Sequence, residues 1–374
     1  MAETRLRVSE MVSFHWRDGR LICDDPRRHR QLALQVEAER LLRTFADWTP
    51  LSAAGEATEV AVQLCELGIL VAEGSPDDEL ERNLGAWRAM GGAATRYHLA
   101  TRTRSGERFR SAADDNEVLR RKAGEAPPPD VFKDCPGELL PLPTGRPPGL
   151  SLADALERRR TVRHLDPERS LSLKELGILL DWTGGTRRRV TGNELGSVLM
   201  KASPSGGARH PIEIYCIVQN VEGLSPGIYH YSVRHHGLTR VGDPVPAEET
   251  VRWCGDQLYV GNAGVLFLYT AVLDRTVWKY PTGRAYRALH LDLGHTSQTA
   301  YLVATALDLG VFFTAATRDE SVEAALGLDW TREIFLGVSG FGVPTEQERA
   351  RLADMRTGGE AAFSTPRDAW DGRG

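Results

Sequence analysis

The pattern of apolar and polar positions predicts alternating strands and helices over residues 150–356. Short segments alternate or run apolar with many β-branched residues, as strands do, whereas longer segments repeat apolar residues at helical spacing. The predicted strands are Ile212–Val218, Ile228–Ser232, Ala263–Leu273, Val311–Thr314 and Ile334–Val338. The predicted helices are one that opens at Ser151–Asp154, Leu173–Trp182 and Arg284–Leu309. The last helix would be roughly 39 Å long, enough to cross a whole α+β domain.

The first 149 residues change in composition along the chain. The order helix, turn, helix and strand indicates a small winged-helix-like module. The elements are a helix at Gln31–Phe45, a turn at Thr49–Ser52, a second helix through Leu64 and a strand at Ile69–Ala72. Residues 75–124 are polar and predicted to be helical, and the proline density of residues 126–149 is typical of an extended connector. We therefore predict a module at 1–74, a helical segment and linker at 75–149, a main domain at 150–356 and a disordered tail at 357–374.

Charge and cysteine usage narrow the class of function. The net charge of −5 disfavours a nucleic-acid partner, and the basic run Arg27–Arg30 is typical of a solvated face. The five cysteines are scattered without a CxxC pair, which disfavours a zinc site or a disulfide framework. His295 could ligate a metal with Asp292, but no second histidine follows at i+4 and a buried structural histidine is expected. With no membrane-length apolar stretch, we expect a cytoplasmic protein without a metal.

An arginine run ends the first helix of the main domain. Arg158, Arg159, Arg160 and Arg163 surround the hydroxyl of Thr161. Guanidiniums pair with phosphate oxygens in a forked geometry, so the segment could bind a phosphate dianion. The alternative is a basic helix end stabilised by the helix dipole.

Two further segments carry candidate chemistry. The loop Ser203–Pro211 precedes a predicted strand, and its two glycines let backbone approach a ligand closely, although a merely flexible loop has the same composition. Lys279 and Tyr280 follow another predicted strand, where catalytic groups are common, and either could act as a general base. An ordinary turn is the alternative. No GxGxxG sequence opens a helix after a strand, which disfavours a Rossmann NAD site.

In this order and spacing, the segments resemble the nitroreductase-like FMN-dependent family, in its branch of SagB-type azoline dehydrogenases. Arg159–Arg163 is similar to the family's Arg-x-Ser-x-Arg phosphate motif, with Thr161 replacing the serine. Residues 204–211 resemble the flavin loop, and Lys279-Tyr280 resembles a Lys-Tyr pair implicated in azoline oxidation. Thr299 stands where the family often has asparagine, and Arg349 and Arg351 are candidates for a C-terminal phosphate contact.

The resemblance implies a three-layer α+β fold with a mixed, mostly antiparallel sheet around a long central helix. It also implies a homodimer that binds FMN through residues of three segments. These residues are Arg159, Arg160, Thr161, Arg163, Pro204, Ser205, Gly206, Gly207, Arg209, Ala315 and Ala316. Lys279, Tyr280 or both would remove a proton from a thiazoline or oxazoline ring of a precursor peptide, during maturation of a ribosomal peptide natural product.

The resemblance extends to possible partners. A cyclodehydratase would form the azoline ring, and the N-terminal module resembles elements that bind an extended leader peptide as an added strand. Two other functions remain open: an NAD(P)H-dependent nitro- or ene-reductase on the same fold, and a non-catalytic leader-binding scaffold for a cyclodehydratase. A winged helix that binds DNA is a further alternative for the module, although its second helix shows little basic clustering.

Overall fold

The computed structural model describes residues 3–191 and 196–356 and divides the chain into two compact units. The first unit ends at Phe109 and the second begins at Arg110. The predicted tail, 357–374, lies outside the described residues. The boundaries at 74 and 149 stay a prediction about which segments fold independently. None of the described helices is both long and apolar enough to cross a bilayer.

The N-terminal unit combines short helices with two three-stranded antiparallel sheets, ordered β5-β1-β6 and β2-β3-β4. Its strands are β1 Arg5–Val8, β2 Ser13–Arg17, β3 Arg20–Asp25, β4 Arg30–Ala33, β5 Thr49–Pro50 and β6 Leu70–Ala72. Its helices are α1 Val36–Thr44, α2 Thr58–Glu66, α3 Pro76–Arg82, α4 Ala86–Met90 and α5 Gly92–Ala100, with a 3-10 segment at Leu51–Ala57. Leu6, Leu41, Phe45, Leu64 and Ile69 form the centre of its core.

The helix predicted at Gln31–Phe45 is wrong over its first residues. Residues 30–33 form β4, which pairs with β3, and α1 begins only at Val36. Alternate residues of β4 are half-buried, a period-two pattern that fits a strand at the edge of a sheet. The backbone hydrogen bonds of this hairpin compensate for helical bonds that the same residues would otherwise make.

The second unit is built around a seven-stranded sheet ordered β14-β15-β13-β10-β11-β12-β7. Its strands are β7 Leu139–Pro141, β8 Thr186–Val190, β9 Val198–Lys201, β10 Ile212–Val218, β11 Gly227–Ser232, β12 Gly237–Gly242, β13 Val265–Val272, β14 Gly310–Thr314 and β15 Glu333–Gly342. Its helices are α6 Ala112–Glu125, α7 Leu152–Arg158, α8 Leu173–Thr183, α9 Ala247–Trp253, α10 Leu273–Val277, α11 Ala285–Ala306, α12 Asp319–Leu326 and α13 Glu346–Arg356. Strands β8 and β9 form a separate hairpin. The recorded strand pairs are antiparallel, and an isolated parallel bridge joins Leu171 to Val221.

Two apolar layers cover the faces of this sheet. Along β10, Ile214 and Cys216 join the core beneath α8 and α11, whereas Tyr215 and Ile217 join the core beneath α9 and α12. This split follows from the period-two alternation of side chains along a strand. The predicted three-layer α+β fold is therefore confirmed. Helix α11 has 22 residues, about 33 Å, and forms the long helix of its layer.

The proline-rich segment at 126–149 belongs structurally to the second unit. Strand β7 within it extends the sheet by pairing with β12. Farther along, the Gly145 carbonyl accepts a 3.0 Å hydrogen bond from Trp182 Nε1 on α8. The segment thus runs extended, as its composition predicts, and it adds an edge strand to the sheet.

Candidate functional site

A tight loop before β10 is fastened to the long helix α11 by one carboxylate. Asp292, which is only 4% exposed, accepts hydrogen bonds from Ser205 Oγ at 2.5 Å and from the Gly206 amide at 3.0 Å. Ser205 Oγ in turn accepts a 2.8 Å bond from the His210 amide. Burial raises the pKa of Asp292, against the two hydrogen bonds that lower it. The predicted flavin loop is therefore held in one shape by α11.

The loop has a backbone that few side chains tolerate. Gly207 has φ +62°, and Ala208 and His210 also have positive φ values of 55° and 45°. Left-handed conformations are unfavourable for residues with a β-carbon, so surrounding contacts must compensate. Such strain is common where backbone is shaped to meet a ligand.

Lys279 and Tyr280 lie directly against this loop. A β-carbon on Gly207 would collide with the Tyr280 hydroxyl and lie 2.9 Å from Lys279 Nζ. Lys279 is half-buried, whereas Tyr280 is 38% exposed, and Lys279 Nζ lies 5.4 Å from the centre of the Tyr280 ring. The structure thus brings together two segments more than 70 residues apart in sequence, and it leaves an amine and a phenol at the surface of the loop.

Arg209, in the same loop, points into the interior of the protein beside Arg275 and Trp278. It is 3% exposed, its Nε donates to the Arg275 carbonyl at 3.2 Å, and its guanidinium lies 5.4 Å from the Trp278 ring centre. Burial lowers the pKa of Arg209. Within the described residues its Nη2 is buried without a hydrogen-bond partner. A buried donor of this kind is costly unless a ligand or water satisfies it.

The arginine run, at the end of α7 and in the segment that follows it, lies against another part of α11. Thr161 Oγ1 is 3.1 Å from the Tyr301 hydroxyl on α11, and the Arg159 guanidinium lies 5.4 Å from the Tyr301 ring centre. Arg160 and Arg163 are exposed. Tyr301 follows Asp292 by nine positions on α11, about 14 Å along the helix axis. Helix α11 therefore contacts the loop through Asp292 and the arginine run through Tyr301.

The other residues predicted to contact the cofactor lie outside the contacts between the loop, Lys279 and Tyr280. Pro204 is exposed, and its carbonyl lies 3.2 Å from His295 Nδ1 on α11. Ala315 and Ala316 are exposed just after β14, where the Ala316 amide donates to Thr314 Oγ1. Their approach to a cofactor stays a prediction. Arg351, a candidate phosphate ligand, pairs with Glu348 at 2.5 Å.

Sequence reasoning missed a buried ion network beneath the loop. Glu213 on β10 accepts from Arg275 Nη1 at 2.5 Å and lies 3.0 Å from His230 Nε2. Although burial opposes ionisation, Arg275 and then His230 lower the pKa of Glu213 to about 2. Arg275 also donates to the His210 carbonyl at 3.2 Å, so the network fixes the end of the loop. An acidic residue in the otherwise apolar run Ile212–Val218 was the available signal.

Behind the loop lies a cavity of about 20 Å³, large enough for roughly one water molecule. Lys201, Ser205, His210 and Asp292 are among its lining residues. Burial lowers the pKa of Lys201 to about 8 and, together with Lys201, lowers that of His210 to about 4. His210 is therefore neutral near pH 7, and its Nε2 lies 2.9 Å from the Leu199 carbonyl.

Known proteins resemble the half of the chain that contains this site. The sequence model of the nitroreductase family matches residues 156–343. The trifolitoxin-processing protein TfxB of Rhizobium leguminosarum bv. trifolii is 34% identical over 163 residues, which are 42% of this chain and 44% of TfxB. A Methanocaldococcus jannaschii protein, MJ1384, whose name describes it as a nitroreductase, is 32% identical over 177 residues, 47% of this chain and 84% of that protein.

One solved structure among those that resemble the chain is the E. coli microcin synthetase McbBCD complex with truncated pro-MccB17 bound. The similarity has a TM-score of 0.43 at 19% identity and covers 68% of this chain and 92% of the matched chain. The chain spans less than half the length of TfxB.

Proposed function

The chain belongs to the nitroreductase family of oxidoreductases, and we propose that it is an FMN-dependent dehydrogenase of peptide azoline rings. It would oxidise thiazolines or oxazolines to thiazoles or oxazoles. The observation that carries this proposal is the contact of Lys279 and Tyr280 with Gly207 in the anchored loop. A reductase that takes hydride from a nicotinamide needs no base at that position, whereas aromatising an azoline requires removal of a ring proton.

A relative supports the peptide-maturation role. TfxB, at 34% identity, is named for processing trifolitoxin. In this proposal, the chain acts on the product of an earlier reaction. For this chain, that product would be an azoline formed from Cys, Ser or Thr by a cyclodehydratase, and the enzyme would work as a homodimer.

The residues present fit FMN. The buried, unpartnered Nη2 of Arg209 is a donor that a flavin carbonyl or ring nitrogen would satisfy. Arg159, Arg160, Thr161 and Arg163 would hold the phosphate, because they offer several guanidiniums and one hydroxyl. The loop backbone of residues 205–209, which includes the positive-φ residues Gly207 and Ala208, would face the ring system. Ala315 and Ala316 would approach the ring system from the end of β14.

The reaction removes two electrons and two protons from the azoline ring. FMN, when bound, supplies the hydride acceptor. Tyr280 or Lys279 would take the acidic ring proton, since both reach the loop surface at which the ring would lie. The loop, fixed by Asp292, would orient the ring so that the proton and the hydride leave from suitable positions.

The test uses the full chain loaded with FMN and a synthetic peptide that contains one thiazoline. We expect the wild type to produce a thiazole, detected as the loss of two hydrogen atoms by mass spectrometry. Lys279→Ala and Tyr280→Phe should retain FMN, and at least one should lose product formation by about 100-fold or more, the range of general-base contributions. Lys174→Ala, at an exposed position of α8, is the matched control.

Two outcomes would contradict the proposal. A protein that cannot be loaded with FMN would refute the flavin assignment. The second outcome is rapid NAD(P)H oxidation with a small nitro acceptor, and it would favour a reductase in either of two cases. In one case the wild type forms no thiazole; in the other, both variants form thiazole at the full rate.

A further inference from the structure

Cys135 lies on the segment between α6 and β7, which the two preceding side chains fasten to the sheet. Lys133 Nζ donates to the Tyr215 hydroxyl on β10 at 2.5 Å, and Asp134 accepts from Ser232 Oγ on β11 at 2.7 Å. Cys135 therefore follows directly on two attachments to neighbouring strands. Its thiol is free and half-buried, so a small reagent can reach it from solvent.

The residue beneath this segment is His230. It pairs with Tyr215 across β10 and β11 and stands two positions before Ser232 on β11, so its side chain lies on the face that the segment covers. His230 is completely buried, and within the described residues its Nδ1 has no aligned hydrogen-bond partner. The Cys135 thiol interacts with this ring from the covering segment. A reachable thiol thus faces a buried nitrogen that needs a partner.

Glu213 determines which nitrogen of His230 can act on the thiol. One oxygen of its carboxylate lies 3.0 Å from His230 Nε2, and the other accepts from Arg275 Nη1 at 2.5 Å. Although burial opposes ionisation, Arg275 and then His230 lower the pKa of Glu213 to about 2, so the carboxylate is ionised near pH 7. An ionised carboxylate only accepts hydrogen bonds, so Nε2 carries a proton and Nδ1 is the nitrogen that can exchange a proton with Cys135. Thiol, imidazole and carboxylate therefore have the order of a nucleophile, its base and the group that orients the base.

We propose that Cys135 is a nucleophilic thiol that exchanges with small disulfides and is thereby modified to a mixed disulfide. His230 Nδ1 takes the thiol proton, and the thiolate attacks one sulfur of the disulfide. A bond forms between Cys135 Sγ and that sulfur while the S–S bond of the reagent breaks. The leaving half is reduced to a thiol and takes the proton from Nδ1, and Cys135 is oxidised to the disulfide level. The step needs neither FMN nor an azoline, so it goes beyond the proposed function and does not depend on it.

The other cysteines provide an internal comparison. Cys23, Cys216 and Cys254 are buried, whereas Cys65 is half-buried like Cys135. Burial raises the pKa of Cys65, which disfavours the thiolate. Cys65 is therefore the matched control for a thiol of similar access that lacks the arrangement around Cys135.

The probe is hydroxyethyl disulfide, a small neutral reagent, added in excess to the full chain at pH 7. The reaction is stopped with acid at intervals, and peptide mapping by mass spectrometry gives the rate at each cysteine. We expect Cys135 to react about 10-fold or more faster than Cys65, because an unassisted thiol is only a few per cent thiolate at this pH. Cys135 should also react faster in the folded chain than in urea, whereas restricted access without activation would make it slower.

Two variants test the part played by the imidazole. His230→Gln should slow the reaction of Cys135 about 10-fold or more and leave that of Cys65 unchanged, because glutamine cannot take the thiol proton. His15→Gln makes the same change at an exposed position of β2 and should react like the wild type. Circular dichroism of both variants verifies the fold.

The inference is overturned if Cys135 reacts no faster in the folded wild type than in urea, or if folded His230→Gln reacts at the wild-type rate. If His230→Gln does not fold, the comparison of folded with unfolded wild type decides alone. A chain that takes no FMN but shows the fast reaction at Cys135 would refute the proposed function and leave this inference standing.

Discussion

Replacing Asp292 by asparagine tests whether one carboxylate sets the shape of the candidate flavin loop. The two oxygens of Asp292 accept from Ser205 Oγ and from the Gly206 amide. An asparagine of the same shape has one acceptor oxygen, and its amide group would face the second donor. One hydrogen bond to a charged acceptor, typically about 1.5–3 kcal/mol, is therefore lost.

A loss of about 2 kcal/mol corresponds to about a 30-fold shift toward conformations in which the loop is released. We expect FMN to dissociate about 10- to 30-fold more readily from Asp292→Asn, measured by recovery of flavin fluorescence on dilution. Thiazole formation at saturating FMN should fall as well, because Gly207 would no longer hold its place against Lys279 and Tyr280.

The control is Asp243→Asn, since the Asp243 side chain is fully exposed and the charge change is the same. Both variants should show a circular dichroism spectrum like that of the wild type. If Asp292→Asn binds FMN and turns over within twofold of Asp243→Asn, the loop does not depend on this carboxylate and the reasoning is refuted.

Three further predictions concern the rest of the second unit. Gly207→Ala should reduce thiazole formation at least 10-fold, because the new β-carbon would displace the Tyr280 hydroxyl. The control is Gly149→Ala, whose β-carbon meets nothing within 4 Å and which should keep the wild-type rate. Equal rates for the two variants would count against the contact between Gly207 and Tyr280. Arg159→Ala should weaken FMN about 10-fold and leave riboflavin, which lacks the phosphate, unchanged in a fluorescence titration; an equal loss for both would place the phosphate elsewhere. Burial lowers the pKa of His230, but interaction with Cys135 and Glu213 raises it from 6.5 to about 9 overall. The stabilisation that protonated His230 gives the fold is therefore fully present below pH 6.5 and is lost as pH rises through about 9. The urea midpoint should fall over that interval in the wild type and much less in His230→Gln, and parallel curves would contradict the assignment.

Local signals were sufficient to predict most elements of the second unit. The strand Ile212–Val218 has the predicted bounds because it is a short run rich in apolar and β-branched residues and a turn follows it. Ser151 accepts from the Asp154 amide at the start of α7, as the capping sequence predicts. Strand β4 was missed because its apolar spacing fits both a helix and an edge strand, and only pairing with β3 distinguishes them.

The candidate site could be predicted as a set of segments but not as an arrangement. The sequence pointed to the loop at 204–209 and to Lys279-Tyr280 separately, and nothing local indicates that Gly207 meets Tyr280. Asp292 was considered only as a weak metal ligand beside His295. Its role as an acceptor for two loop donors depends on which face of α11 meets the loop, and that is decided by the packing of the whole domain.

The buried pair of Arg275 and Glu213 links stability to the shape of the site. Both side chains are 3% exposed, and burying two charges costs several kcal/mol that their attraction alone often fails to offset. Arg275 offsets part of this free energy by donating hydrogen bonds to the carbonyls of His210 and Asp130, at 3.2 and 3.0 Å. Those bonds connect the loop to the proline-rich segment. An apolar pair of equal volume could fill the same space, but it would leave the two carbonyls without this donor. The charges therefore fix where the loop ends, which apolar packing at this position would not do.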